Sequence, residues 1–247
     1  MSLVMAEFKQ ADGVFATTCW TEVLSARAEG LPAGGGEALA RLCAAYWPPL
    51  YAFLRREGYA QEEAEDLAQG FFERFIAGDY LRDVSRDKGR FRSFLLGCLK
   101  HYAANVRRES RTQRRGGSSP HFSLGDPAMM ERCEATLALQ PAESSVFDRI
   151  WAETIMQRSV ERLKQEYVGK EALFTKLCHW LAVEVKAGDY AREAPSLGLT
   201  EGAMAAAVFR LRQRFRQFVR EEVGNTVQSP ADIDGEMHYL FETLTQS

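Results

Sequence analysis

The chain has 247 residues, 46% of them hydrophobic and 26% charged, and a formal net charge of −3; this is the balance of a globular protein, not of a disordered or fibrous one. No apolar run approaches the roughly 20 residues that cross a bilayer, and the opening MSLVMAEFKQADG lacks the basic-then-apolar pattern of a signal peptide. Five widely spaced cysteines (Cys19, Cys43, Cys98, Cys133, Cys178) form no CxxC or CxxH pair, which argues against a zinc ribbon or disulfide framework and fits neutral thiols in a reducing cytosol.

In chain order the spacing predicts helices nearly throughout, because the β-branched alternation of strands is almost absent. Over Glu37–Glu57 the residues Leu39, Leu42, Cys43, Tyr46, Leu50, Phe53 and Leu54 recur at helical spacing. Pro48 and Pro49 predict a kink or break there, and Gly58 a helix end. From Gln61 onward, Ala64, Leu67, Ala68, Phe71, Phe72, Phe75 and Ile76 form a broad apolar stripe. Glu62, Glu63, Glu65 and Asp66 crowd its first turns, where the helix dipole favours negative charge. In the next helix Phe91, Phe94, Leu95, Cys98, Leu99, Tyr102 and Val106 face one way. Lys100, His101, Asn105, Arg107, Arg108 and Arg111 face others.

That third helix sits in a charge anomaly. Arg86–Arg115 holds ten Lys/Arg against two Asp/Glu, a local net of +8 that leaves −11 for the rest of the chain. So uneven a split points to a polyanionic partner, since clustered Lys/Arg gain affinity for phosphate by releasing counterions. The Gly/Ser/Pro-rich GGSSPHFSLGDP (Gly116–Pro127) reads as a linker. A second block follows Pro141, with Ser144 or Ser145 as N-cap and Phe147, Ile150, Trp151, Ile155, Val160, Leu163 and Tyr167 as apolar positions.

Helices over Glu171–Ala187 and Tyr190–Leu197, a Gly198 turn, Thr200 as N-cap and a long basic helix then give the layout of a helix-turn-helix. Arg210, Arg212, Arg214, Arg216 and Arg220 make the last helix basic, and Val208, Leu211, Phe215 and Phe218 would face inward. Behind Ser229-Pro230, Ile233, Met237, Leu240, Phe241 and Leu244 mark a short amphipathic helix. A carboxylate metal site on Glu62, Glu65, Asp66 and Glu73, as a helical metallohydrolase would use, lacks the Glu-x-x-His pairs such bundles need. No enzyme, cofactor or metal is therefore expected.

The segments YWPPLYAFLRR, AEDLAQGFFERFI and GRFRSFLLGCLKHYAANVRRE, in that order, resemble region 2 of bacterial RNA polymerase sigma factors, and Asp189–Glu222 resembles region 4. Two such regions without a large domain between them are similar to the extracytoplasmic-function subgroup, over about Phe15 to Glu222. The resemblance implies an all-α chain of two helical domains: a tail and leading helix (1–35), region 2 (36–115), a linker (116–143), the region 4 helix-turn-helix (144–222) and a helical extension (223–247).

It also implies roles. Asp66, Leu67 and Gln69 match the D-L-x-Q motif that docks on the clamp coiled coil of the largest subunit of core RNA polymerase, with Phe72, Glu73 and Ile76 extending that face. Lys100, His101, Asn105, Arg107, Arg108 and Arg111 fall in the stretch that melts and reads the minus-ten element of promoter DNA. Thr200, Phe209, Arg210 and Arg212 match positions that contact the minus-thirty-five element. An anti-sigma or other regulatory protein is a further partner class of the family, and the location is cytoplasmic, with no membrane. Gly70, where the family often has Glu, Glu193 and Pro195 in the first helix of the turn, and Ala205, Ala206 and Ala207 in the second depart from the pattern. The alternative is a helix-turn-helix regulator that binds DNA without docking on polymerase. The apolar face of the final helix is expected to cover region 2 or region 4 until a partner releases it, a form of self-regulation.

Overall fold

The computed structural model describes residues 35–77, 91–112, 131, 133, 135, 143–227 and 229–245. Among them every regular element is helical: α1 (Gly35–Arg56), α2 (Gln61–Ala77), α3 (Phe91–Thr112), α4 (Glu143–Gln165), α5 (Glu171–Cys178), α6 (Asp189–Glu193), α7 (Glu201–Gly224) and α8 (Ile233–Thr245). Short 3₁₀ turns occupy His179–Leu181, Ala194–Leu197 and Pro230–Asp232. No helix among the described residues is long and apolar enough to cross a membrane. The expected linker and leading tail lie almost wholly outside the described residues.

The chain divides into two compact units. One, the split unit, takes its described residues from the chain up to Thr154 and again from Gly224 onward. The other, the inserted unit, takes its described residues from Ile155–Val223. The division thus falls inside α4, and residues 224–245 belong with α1–α3 instead of standing apart as an extension.

In the split unit α1 continues through Pro48 and Pro49, so the expected break does not occur. Each proline removes one intrahelical donor, yet every residue from Ala45 to Leu54 is buried, and that packing outweighs the lost bonds. The Pro48 carbonyl also accepts from the Cys133 thiol at 3.9 Å. Tyr46 and Phe91 meet edge-on at 5.4 Å and Trp47 stacks on Tyr51 at 5.1 Å. Each such ring, fully buried, contributes about 2 kcal/mol. Gly58, at φ 90°, closes α1, with the Tyr59 N–H donating to the Leu54 carbonyl at 3.2 Å. Burial raises the Cys43 thiol pKa to about 12, so this cysteine is neutral, as expected of it.

The last described segment completes this unit. Ser229 caps the turn before α8 by accepting from the Ala231 N–H at 3.3 Å. Ile233, Met237 and Leu240 are buried, while Phe241 and Leu244 are half-buried. Helix α8 meets α3 of the same unit through the ion pair of Glu236 with Arg92. The Tyr46 hydroxyl donates to the Thr226 carbonyl at 3.1 Å.

In the inserted unit the helix expected over Glu171–Ala187 ends early, at Cys178 plus one 3₁₀ turn. The cause is Arg212, whose Nε and Nη2 donate to the Trp180 and Val183 carbonyls at 2.9 and 2.7 Å. Asp189 also accepts from the Lys186 N–H at 2.8 Å, so the chain turns where the pattern suggested it would run on. Serines 144 and 145 fall inside α4, which already starts at Glu143.

Candidate nucleic-acid interface and docking face

Helix α2 begins at a residue with no capping side chain, and Glu63 reaches back to accept from the Ala60 N–H at 3.1 Å, half of a capping box. The 3.6-residue repeat then turns Ala64, Leu67, Ala68, Phe71, Phe72 and Phe75 inward. Leu67 and Phe72, expected on the docking face, are therefore core residues at 8% and 2% exposure. What α2 presents outward is polar: Asp66 and Glu73 are exposed and Gln69 half-buried. The Gln69 amide donates to Glu73 at 3.2 Å one turn on, which fixes both side chains along one face. The side chain of Ile76 lies outside the described residues.

Gly70 has a packing reason. A Cβ there would run into the Tyr102 hydroxyl, and Tyr102 is buried between α2 and α3, 6.0 Å from the Phe71 ring and under the Arg74 guanidinium at 5.3 Å. The bare backbone at Gly70 is what lets these two helices close.

Helix α3 turns Phe91, Leu95, Leu99, Tyr102 and Ala103 into the core and Lys100, His101, Arg107 and Arg108 outward. Asn105 is half-buried and its amide lies 3.4 Å from His101 Nδ1, so an amide and an imidazole share one exposed edge. Lys100 sits over the Phe53 ring at 5.0 Å and Arg107 over the Tyr59 ring at 4.9 Å. These cation–π contacts hold two long side chains against the surface and bring in Tyr59, which the sequence reading missed. Its signal was a lone aromatic in a Gly-Tyr-Ala turn, without periodicity. Arg92, counted within the basic stretch, is 4% exposed and paired with carboxylates, so it adds nothing to the outward charge. The Arg111 side chain lies outside the described residues.

In the inserted unit Gly198 adopts φ 66° and Thr200 Oγ1 accepts from the Ala203 N–H at 3.2 Å, the turn and N-cap that the pattern predicts. Pro195 opens the 3₁₀ turn at its start, where a missing N–H costs nothing, and Ala194, 1% exposed, takes the apolar place that Glu193 leaves. Met204, Val208, Leu211, Phe215 and Phe218 of α7 are buried. Thr200, Phe209 and Arg210 are exposed, Phe209 to 59%.

Arg212 belongs to the fold through its two carbonyl bonds, not to the outward face. Arg214 likewise donates to Glu166 at 2.7 Å, a pairing that raises its pKa. Exposed Gln213 follows Phe209 and Arg210 by one turn and was masked in sequence by its arginine neighbours. The alanine run is half-buried. Ala206 and Ala207 line an open groove with Leu173, Leu197 and Leu199, and Lys176 and Arg210 also border it. The small side chains of Ala206 and Ala207 thus leave room against α5 instead of reaching outward.

Among the described residues no group of three or more His, Cys, Asp or Glu is placed to hold a metal. No protein-family model, curated protein or solved structure matches the chain.

Proposed function

We propose that the chain is a cytoplasmic sigma factor of the extracytoplasmic-function type, binding core RNA polymerase through α2 and promoter DNA through α3 and the N-terminal half of α7. The observation that carries this reading is the pairing of α2 and α3. Two consecutive helices share the Phe71–Tyr102 core while one exposes Asp66 and Glu73 and the other Lys100, His101, Arg107 and Arg108. An acidic, amide-bearing face suits a protein partner. The basic face, with His101, Asn105 and Tyr59 beside it, suits phosphates and unstacked bases. Arg210 and Gln213 supply the donor pairs that read guanine and adenine edges in a major groove.

The test is retention on immobilised core polymerase. Wild type is retained and the Asp66→Arg, Gln69→Ala double variant is not, and only wild type starts transcripts when core enzyme is supplied with a genomic library. The second reading, a DNA-binding regulator without polymerase docking, draws its weight from Gly70 as a lost docking charge and from the alanine run Ala205, Ala206 and Ala207. The packing of Tyr102 accounts for Gly70 without it. If neither protein is retained while both bind DNA, the regulator reading replaces the first.

A further inference from the structure

Two cations of α3 lie on aromatic rings that α1 and the turn after it supply. Lys100 sits over Phe53 of α1, and Arg107 over Tyr59, which follows Gly58. Seven residues separate the two cations, so they share one face of α3, roughly 10 Å apart along its axis. Exposed Ala104 lies between them. Tyr59 is itself fixed. Its N–H donates to the Leu54 carbonyl at 3.2 Å, and its own carbonyl accepts from Arg55 Nη1 at 2.8 Å. Tyr59 is half-buried and Arg107 exposed, so the guanidinium stays accessible while it rests on the ring.

We propose that Tyr59 is a positioning residue for nucleic acid: its ring holds the Arg107 guanidinium ready to receive a phosphate of a single strand. This rests on the reading of α3 as a nucleic-acid surface. An arginine loses side-chain freedom when it engages a ligand, and that loss subtracts from affinity. An arginine already stacked on a fixed ring has given up part of that freedom beforehand. The ring carries no charge, so it adds nothing to the counterions released, whose number is set by the cations. Tyr59 therefore raises affinity without changing salt dependence, which separates it from the cations of α3. It acts only through Arg107, which separates it from an aromatic that stacks on a base directly.

The test titrates full-chain proteins onto a labelled single strand of about 15 nucleotides at several salt concentrations. The forms are wild type, Tyr59→Leu, Tyr59→Phe, Arg107→Gln and the Tyr59→Leu, Arg107→Gln double variant. Tyr59→Leu binds about fivefold more weakly with the wild-type slope of log K against log salt. Tyr59→Phe, which keeps the ring, binds as wild type does. Arg107→Gln lowers the slope by about 0.7, and in its background Tyr59→Leu has no further effect. A loss that persists in that background means direct stacking on Tyr59 and overturns the proposal. Tyr59→Leu binding as wild type does also overturns it, and the effect of Arg107→Gln then leaves the nucleic-acid reading standing. If wild type binds no strand, the reading of α3 fails and the proposal with it.

A second measurement needs no change at Tyr59 and decides the matter if Tyr59→Leu fails to fold. The Arg107 Nε–H signal of wild type is assigned by its disappearance in Arg107→Gln, and its ¹⁵N relaxation is read with and without the single strand. An order parameter already above about 0.6 in the free protein, with the proton shifted upfield by the ring and little further rise on binding, supports the proposal. A side chain that is mobile when free and becomes ordered only with the strand overturns it.

Discussion

At position 70 the absence of a side chain is itself a packing element, because the Tyr102 hydroxyl occupies the place of a Cβ. Helix propensity alone favours Ala over Gly by about 1 kcal/mol in a helix interior, so the sign of Gly70→Ala separates the two effects. The expected result is destabilisation by about 1–2 kcal/mol, the cost of overpacking minus the propensity gain. In a Tyr102→Phe background the same substitution stabilises, since the clashing atom is gone; urea denaturation of the four proteins reads the cycle. Position 212 makes the converse case. Arg212→Met removes two bonds that terminate the α5 segment and lowers stability by about 2 kcal/mol. Arg210→Met, two residues earlier and exposed, leaves the melting temperature unchanged and weakens DNA binding, as calorimetry and anisotropy of a labelled duplex would show.

At the scale of elements, α3 divides into an anchored start and a partner-facing remainder, and the division predicts different behaviour for neighbouring residues. Arg107→Gln or Arg108→Gln is expected to reduce the slope of log K against log salt by about 0.7 for single-stranded DNA. His101→Ala or Asn105→Ala is expected to keep the slope and change base preference; titrations at several salt concentrations with single strands of different sequence distinguish these. The inward face of this helix was legible because its period survives any sequence noise, and so were the Gly198 turn and the Thr200 cap. What was not legible depended on partners distant in sequence. Pro48 and Pro49 stay helical because of burial that no local rule records. The helix from Glu171 ends because of a side chain more than 25 residues later, at position 212. Leu67 and Phe72 were assigned to a docking face by motif, although their own spacing already placed them on the inward stripe. Arg92 could be counted as a charge from the sequence, but only the fold shows it neutralised.

For the molecule as a whole, each compact unit carries its own ionic clamp beneath the surface. In the inserted unit Glu222 is 2% exposed and receives Arg158 at 2.7 Å and Arg162 at 3.0 Å. Arg162 also lies over the Phe218 ring at 4.3 Å. This ties α4 to α7 inside the same unit, and it shares no residue with the ion pairs of Arg92. If the two units hold separate cores, damage to one clamp stays local. Glu222→Gln leaves two guanidinium groups facing a neutral amide. Breaking such a pair costs about 3–5 kcal/mol when fully buried, and the partial exposure of both arginines, 27% and 35%, brings the expected loss to about 2 kcal/mol. Hydrogen exchange resolved by peptide reads where that loss goes. Segments 171–181 and 201–223 are expected to exchange roughly tenfold faster or more, with 61–77 and 91–108 unchanged. Equal acceleration in both sets would mean that α4, running unbroken through the boundary at Thr154, couples the two cores into one cooperative transition.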